Sequence, residues 1–242
     1  MKTSIFKSFL SFLLLLSHIQ IHANELNYNL NAEKITENTY VFFGSTKHFT
    51  FKNGGNIVNT GYIVTDQGVI VIDTGPSLSY GKQMRQYIES TTNKKVIKVF
   101  ITHHHPDHFL GNQAYKDVPI ASLKAINKAI NEQGEGLNTN MYILVGDWMK
   151  GTEVYAPTEV IKPGAIEEIG GHKLEFIQLE GHTHSDLAIL DRTTGVLFAG
   201  DLVFNNRTPT TPHADINKWV ESLEQLNKLD FEYLIPGHGP AL

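Results

Sequence analysis

The chain has 242 residues, of which 41% are hydrophobic and 19% are charged, and its formal net charge at pH 7 is −5. This composition is typical of a globular protein with one core, and its acidic balance does not favour nucleic acid or an anionic membrane as a partner. The chain contains no cysteine, which excludes disulfides, thiolate metal ligands and cysteine nucleophiles, and also a lipid anchor at an N-terminal cysteine. We therefore expect no nucleic-acid partner and no membrane anchor.

The first 23 residues have the pattern of a secretory signal peptide. Two lysines precede an apolar run, Phe9–Leu16, and the segment ends in Ala23, a small residue of the kind that signal peptidase requires. The apolar run is too short to span a bilayer. We predict a signal peptide over residues 1–23, one mature domain over residues 24–242, and a periplasmic or secreted location. A buried N-terminal helix is the alternative.

Strand patterns and helix patterns alternate along the first half of the mature chain. The turn residues 66–68 predict a hairpin, because β-branched and apolar runs lie on both sides of them. A polar, glycine-containing loop with two phenylalanines, Thr46–Asn56, precedes that hairpin. Gly134 and Gly136 are expected to end a helix that starts at residue 123. The other predicted elements are a helix at 78–91, a strand at 95–103, a helix at 109–115, a strand at 118–122 and a further helix at 139–151.

The second half returns to strands and carries one amphipathic helix. Apolar residues recur at helical spacing from Ile216 to Leu226, and Asp215 is well placed to cap the start of that helix. Two rounds of strands with helices between them predict the α/β class, as two mixed β-sheets packed together with helices outside. The predicted strands cover 152–157, 173–179, 186–191, 195–201 and 231–239.

A dense cluster of ionisable residues follows the strand at 95–103. It comprises His103, His104, His105, Asp107 and His108. Alternate residues of a strand face the same side, so the first and third histidines should point one way and His104 the other. Such a cluster predicts a metal site, with a solvated loop as the alternative. Three more potential ligands stand at the ends of predicted strands, namely His182, Asp201 and His238.

The order and spacing of these seven residues resemble the metallo-β-lactamase superfamily, from about Thr39 to Gly239. The resemblance implies an αββα sandwich, in which two mixed sheets are flanked by helices and the metal ions bind at one edge. It also implies a division of the ligands. One ion would be held by His103, His105 and His182, the other by Asp107, His108 and His238, and Asp201 would bridge the two.

The resemblance implies roles for several other residues near the site. Asp107 is also the predicted catalytic residue, and Asp73 matches a position next to the site. His104 and His184 lie beside ligands, so they are expected to orient them or to form the rim. His48 and His213 are either pocket residues or surface residues. The loop Thr46–Asn56 is expected to cover the site and to contact substrate through Phe49 and Phe51, unless these rings fold under the sheet.

The predicted chemistry is hydrolysis. Two ions about 3.5–4 Å apart share a water and lower its pKa to roughly 7, which gives a bridging hydroxide near neutral pH. The expected substrate is a small molecule with an ester, thioester, lactone or related bond. The expected cofactors are two Zn²⁺ ions, with iron or manganese possible because all the ligands are nitrogen or oxygen.

The residue at position 201 bears on the branch of the superfamily. Zinc β-lactamases of the first subclass carry cysteine there, often followed by a lysine, whereas Asp201 resembles the glyoxalase II-like and lactonase-like branches. Long stretches are also similar to exported quinoprotein relay system zinc metallohydrolases, which implies a functional link to periplasmic quinoprotein dehydrogenases. A periplasmic β-lactamase, a mononuclear iron protein similar to sulfur dioxygenases, and a binding protein with a relic site remain as alternatives.

Overall fold

A computed structural model describes residues 26–242, so the predicted signal peptide lies outside the described residues. Within this range two mixed β-sheets pack face to face around one large core, and this confirms the predicted α/β class. Phe100 of one sheet meets Phe176 of the other with ring centroids 4.9 Å apart. In residues 26–242, no helix has the length and apolar character needed to cross a bilayer.

The first sheet has seven strands whose spatial order follows the chain. The first four strands are antiparallel, and the remaining three are parallel to the fourth. The predicted hairpin is confirmed, because Thr65 N donates to Gly68 O at 2.8 Å across the turn. The strands are β1 (Glu33–Lys34), β2 (Thr39–Phe42), β3 (Thr60–Val64), β4 (Val69–Ile72), β5 (Val96–Phe100), β6 (Ile120–Leu123) and β7 (Glu159–Ile161).

The second sheet has five strands in the order β12-β11-β10-β9-β8. Only β11 and β12 are parallel to each other, and the other pairs are antiparallel. One face of this sheet packs on the first sheet, and the other carries a smaller apolar cluster around Trp219. Its strands are β8 (Ile166–Ile169), β9 (His172–Leu179), β10 (Asp186–Asp191), β11 (Val196–Phe204) and β12 (Tyr233–His238).

Four α-helices are described: α1 (Leu78–Thr92), α2 (Pro106–Phe109), α3 (Lys124–Val145) and α4 (Ile216–Leu226). The amphipathic helix is confirmed as α4, and the carboxylate of Asp215 accepts hydrogen bonds from the first free N–H groups of that helix. Its apolar stripe is only partly buried. Trp219 and Leu226 pack on the second sheet, whereas three other apolar residues stay exposed, namely Ile216, Val220 and Leu223.

The predicted break at Gly134 and Gly136 is wrong, because α3 runs through both glycines without interruption. A Cβ atom at Gly134 would lie 2.8 Å from the Val154 side chain, so the glycine permits close packing instead of ending the helix. The predicted strand at 152–157 is also wrong. Three backbone carbonyls of that segment accept hydrogen bonds from asparagine side chains and not from a neighbouring strand. The donors are the side-chain amides of Asn112, Asn127 and Asn138, which bond to the carbonyls of Tyr155, Pro157 and Thr152, respectively.

Candidate metal centre

The first four candidate ligands lie in a loop and a short helix, not on a strand. Strand β5 ends at Phe100, so the prediction that His103 and His105 point to one side because they lie along a strand is wrong. The two rings nevertheless converge, with His103 Nε2 3.1 Å from His105 Nδ1. His105 immediately precedes α2, and the single turn of that helix presents Asp107 and His108.

The other three candidate ligands come from the second sheet. His182 lies in the turn after β9, and His238 is the last residue of β12. Asp201 was expected to end a strand but lies inside β11, where the pairing with β12 shifts register around Gly200. A side chain at Gly237 would collide with the Asp201 carboxylate, so glycine at this position leaves room for it.

The seven residues form two groups that meet at Asp201. Its Oδ2 lies 3.2 Å from His182 Nε2 and 3.2 Å from His238 Nε2, while its Oδ1 lies 3.1 Å from His108 Nε2. All seven side chains are buried. Atoms that could each bind an ion lie within 4.8 Å of one another in two sets, one comprising His103, His105, His182 and Asp201, and the other Asp107, His108 and His238.

Three buried atoms of this cluster lack a hydrogen-bond partner within the described part of the chain, namely Nε2 of His108, Nδ1 of His182 and Oδ1 of Asp201. The first and the last of them lie 3.1 Å apart and face the centre of the cluster. Buried polar atoms without partners are rare in proteins, and a bound ion is one explanation for them. Imidazole and carboxylate donors suit zinc, iron and manganese. The residues present therefore fit a metal ion.

The electrostatics of the cluster favour a cation. Burial lowers the pKa of His103 and of His105 well below the usual value, and neighbouring imidazoles add to this effect. Burial acts to raise the pKa of Asp201, but the surrounding histidines hold it well below the usual range. Burial acts to lower the pKa of His108, but three carboxylates outweigh it and raise that pKa. His103 and His105 are thus neutral imidazoles with free lone pairs beside the ionised Asp201 carboxylate, whereas the carboxylates around His108 favour a protonated ring, whose proton a bound ion would replace.

Groups outside the cluster fix the orientation of two rings. Asp73 Oδ2 lies 2.7 Å from His108 Nδ1, and its Oδ1 accepts from Thr102 N at 2.8 Å. His238 Nδ1 donates to the Ile57 carbonyl at 2.6 Å. Each contact places a proton on Nδ1 and leaves Nε2 free to face the centre. The placement of Asp73 beside the site agrees with the prediction, whereas Thr102 and Ile57 were missed because a hydroxyl and a backbone carbonyl carry no distinctive sequence signal.

A cavity of about 200 Å³ opens onto the cluster. Phe49 lines it as predicted, but Phe51 does not, because its ring packs beside Gly146 and is 60% exposed. Arg207 also lines the cavity, with Nη1 3.2 Å from His238 Nδ1. His213 is a pocket residue, and the exposed residues His48 and His184 do not line the cavity.

Comparisons with known proteins agree with this architecture. The family model for the metallo-beta-lactamase superfamily matches residues 53–238. The chain is 26% identical over 76% of its length to a beta-lactamase-like protein 2 homolog from Caenorhabditis elegans, but the match spans only 56% of that protein. It is 22% identical to the acyl-coenzyme A thioesterase MBLAC2 from Gallus gallus, over 78% of this chain and 74% of the other.

Bacterial lactamases are similar as well. The chain is 26% identical to the metallo-beta-lactamase IND-1 from Chryseobacterium indologenes, over 74% of this chain and 71% of the other. A solved metallo-beta-lactamase from Pontibacter korlensis superposes with a TM-score of 0.70 at 21% identity, covering 88% of this chain and 92% of that one. Because the identity is low, the solved structure shows the fold alone.

Proposed function

Because this chain belongs to the metallo-β-lactamase superfamily and is a metal-dependent hydrolase of that superfamily, we propose that it cleaves ester, thioester or lactone bonds of small molecules with two metal ions. One observation carries the proposal. Two groups of buried histidines and aspartates meet at the Asp201 carboxylate. The proposed ligands are His103, His105 and His182 for one ion, Asp107, His108 and His238 for the other, and Asp201 for both.

The proposed ions are zinc, with iron or manganese as alternatives, because every donor is nitrogen or oxygen. Bound in pairs, such ions lower the pKa of water to near 7 and polarise a carbonyl oxygen. Asp107 has a carboxylate oxygen, Oδ2, 3.4 Å from His238 Nε2 and lines the cavity, so its carboxylate is placed beside the ions to accept the proton of the attacking water. The guanidinium of Arg207 is placed to bind a negatively charged part of the substrate.

The cavity supports a substrate with an apolar part next to the reacting bond. Phe49, Ile57 and Leu137 line one region of it and exclude water from that region. The carboxylate of Asp201 supports the ester, thioester and lactone classes over lactams, since zinc β-lactamases of the first subclass carry a cysteine at that position. A relative that carries the name acyl-coenzyme A thioesterase supports the thioester class further.

The test combines metal content with substrate screening. We expect close to two transition-metal ions per chain, and hydrolysis within a panel of thioesters, esters and lactones. His103→Ala and Asp107→Ala should abolish that hydrolysis, whereas His104→Ala should retain most of it, because His104 lies outside both proposed ligand sets. One tight iron per chain with oxygen consumption would favour the sulfur-dioxygenase-like alternative. Equal losses in all three variants would refute the assignment of ligands.

A β-lactamase is the second candidate, and Arg207 is the observation that favours it. A cation beside the ions can pair with the carboxylate of a lactam antibiotic, and Arg207 lies at the cavity although no lysine stands among the residues directly after Asp201. We still expect weak or absent lactam hydrolysis, because a carboxylate between two ions makes each a weaker electrophile. A kcat/KM above about 10⁵ M⁻¹s⁻¹ on penicillins, cephalosporins or carbapenems would establish this second function instead.

The proposal includes export and a place among the quinoprotein relay system hydrolases. Export is supported by the signal-peptide pattern over residues 1–23, and the family placement by similar stretches of sequence. Cell fractionation and N-terminal sequencing of the mature protein test the first part. A strain that lacks the protein should show reduced activity of periplasmic quinoprotein dehydrogenases, and unchanged activity would refute that link.

A further inference from the structure

His213 touches the outer side of one proposed ligand. It lies in the loop between β11 and α4, directly after Pro212, and both residues line the cavity. Its Nδ1 is 2.9 Å from Nε2 of His105, and the two ring centroids are 5.2 Å apart. The ring is exposed to solvent on its other side, whereas His105 is buried.

The opposite nitrogen of His105 determines which atom carries the proton. His105 Nδ1 lies 2.8 Å from His182 Nε2 and 3.1 Å from His103 Nε2, so it faces the centre of the cluster. A nitrogen that binds a metal ion must present a lone pair. The proton of the neutral His105 ring is then on Nε2, which makes His213 Nδ1 the acceptor of the hydrogen bond.

Other rings of the centre have a comparable outer partner. His108 Nδ1 faces Asp73, and His238 Nδ1 faces the Ile57 carbonyl. Such partners fix the tautomer and the ring orientation of a ligand and raise its basicity. Asp73 directly follows β4 and Ile57 precedes β3, so both adjoin the first sheet, whereas the partner of His105 comes from a surface loop.

We infer that His213 is a positioning residue for metal binding, which accepts the Nε2 proton of His105 and holds that ring toward the ion. The inference rests on the proposed function in so far as His105 is a ligand. It goes beyond that function because it assigns metal affinity to a residue outside the seven ligands. It also connects the loop that carries Pro212, and thus one wall of the substrate cavity, to the metal centre.

The test measures metal affinity and not activity. Metal-free protein is titrated with Zn²⁺ against a chromophoric chelator, and the number of ions is determined in the same experiment. His213→Leu removes the acceptor, and His213→Asn keeps an oxygen close to the position of Nδ1. His184→Leu is the matched control, since His184 is an exposed histidine beside the ligand His182.

We expect His213→Leu to weaken binding of one ion by roughly tenfold to a hundredfold. His213→Asn should restore most of the affinity, and the control should bind as the unmodified protein does. The absorption bands of the Co²⁺-substituted protein should shift in the leucine variant only. Thermal unfolding of the metal-free variants should coincide with that of the unmodified protein, which separates positioning of His105 from damage to the fold.

Three results would overturn the inference while leaving the proposed function intact. One is unchanged affinity in His213→Leu, and another is an equal loss in the leucine and asparagine variants. The third is three ions in the unmodified protein and two in His213→Leu, since His104, His105 and His213 would then hold an ion of their own. If the unmodified protein binds no tight ion, the proposed function fails and the inference fails with it.

Discussion

Asp73 and His108 are joined by a contact of 2.7 Å between Oδ2 and Nδ1. The Asp73 backbone has a positive φ of 58°, which is uncommon for a residue other than glycine, and the local hydrogen bonds hold it in that conformation. Asp73→Ala should weaken metal binding by roughly tenfold to a hundredfold, because the His108 ring loses its outer partner. Chelator competition measures this. Asp66→Asn, a change at an exposed acid, is the control, and equal affinity in both variants would contradict the role of Asp73.

Phe49 and Phe51 lie two residues apart but have different surroundings. Phe49 lines the cavity, whereas Phe51 packs on the surface beside Gly146. Phe49→Ala should raise KM for a substrate with an apolar group by roughly tenfold, which corresponds to the loss of an apolar contact of about 1–2 kcal/mol. Phe51→Ala should leave KM unchanged. Steady-state kinetics of the two variants checks this, and a rise in KM for Phe51→Ala alone would reverse the assignment.

Gly134 and Gly136 offer a matched pair of substitutions in α3. Apart from the chain neighbours and the backbone of α3 itself, no atom of the described residues lies within 4 Å of a Cβ placed at Gly136, so Gly136→Ala should raise the free energy of unfolding by about 0.5–1 kcal/mol. At Gly134 a methyl group would lie 2.8 Å from Val154, and the alanine variant should be destabilised by about 1–3 kcal/mol. Urea denaturation measures both. Stabilisation by alanine at both positions would show that Val154 moves aside at little cost.

Asp191 and His172 form a buried pair away from the candidate metal centre, with Oδ2 2.7 Å from Nδ1. Burial acts to raise the pKa of Asp191, but hydrogen bonds from His172, Thr194 and Thr193 outweigh it and hold the pKa below its ordinary value of 3.8. The ionised carboxylate therefore stabilises the folded state at pH values above 3.8, and this contribution is lost as the pH falls below that value through the folded-state pKa.

Asp191→Asn should accordingly lower the free energy of unfolding near neutral pH by about 1–3 kcal/mol. The difference from the unmodified protein should narrow below pH 3.8. Urea denaturation of metal-free protein at several pH values measures this, so that loss of bound ions does not contribute. Glu168→Gln, a change at an exposed acid, is the control. A difference that stays constant down to the lowest pH would mean that the charge of Asp191 is not the source of stability.

The sequence predicts those parts of the fold that depend on local pattern. Alternating and helical apolar spacing identified the hairpin at β3 and β4, and also α1 and α4, because burial of one face imposes that spacing. The seven residues that meet at Asp201 were likewise predictable, since clustered histidines and aspartates have few structural uses. Their division between the two proposed ions came from family resemblance and remains a prediction.

The errors arise where contacts between distant segments override local preference. Gly134 ends no helix because Val154 packs against it, and the pattern within α3 contains no information about that neighbour. The position of Asp201 inside β11 depends on a shift in pairing with β12 around Gly200, which pairs with Pro236, and the sequence of β11 alone contains no information about that pairing. The positions of Arg207 and His213 at the cavity could not be predicted either, because they lie in a polar, proline-containing loop without a regular pattern.

Four residues of the candidate centre lie between β5 and β6 in the first half of the chain, and the other three lie in the second half. His238 is held by the Ile57 carbonyl across a sequence separation of 181 residues. Contacts of such long range form late, because the chain must close large loops first. We therefore expect refolding to produce both sheets before it produces a complete site. Metal ions that are added after refolding has begun should bind at the rate at which the two sheets dock. Ions that are present from the start should bind the four neighbouring residues of the unfolded chain and thereby slow the docking of the sheets.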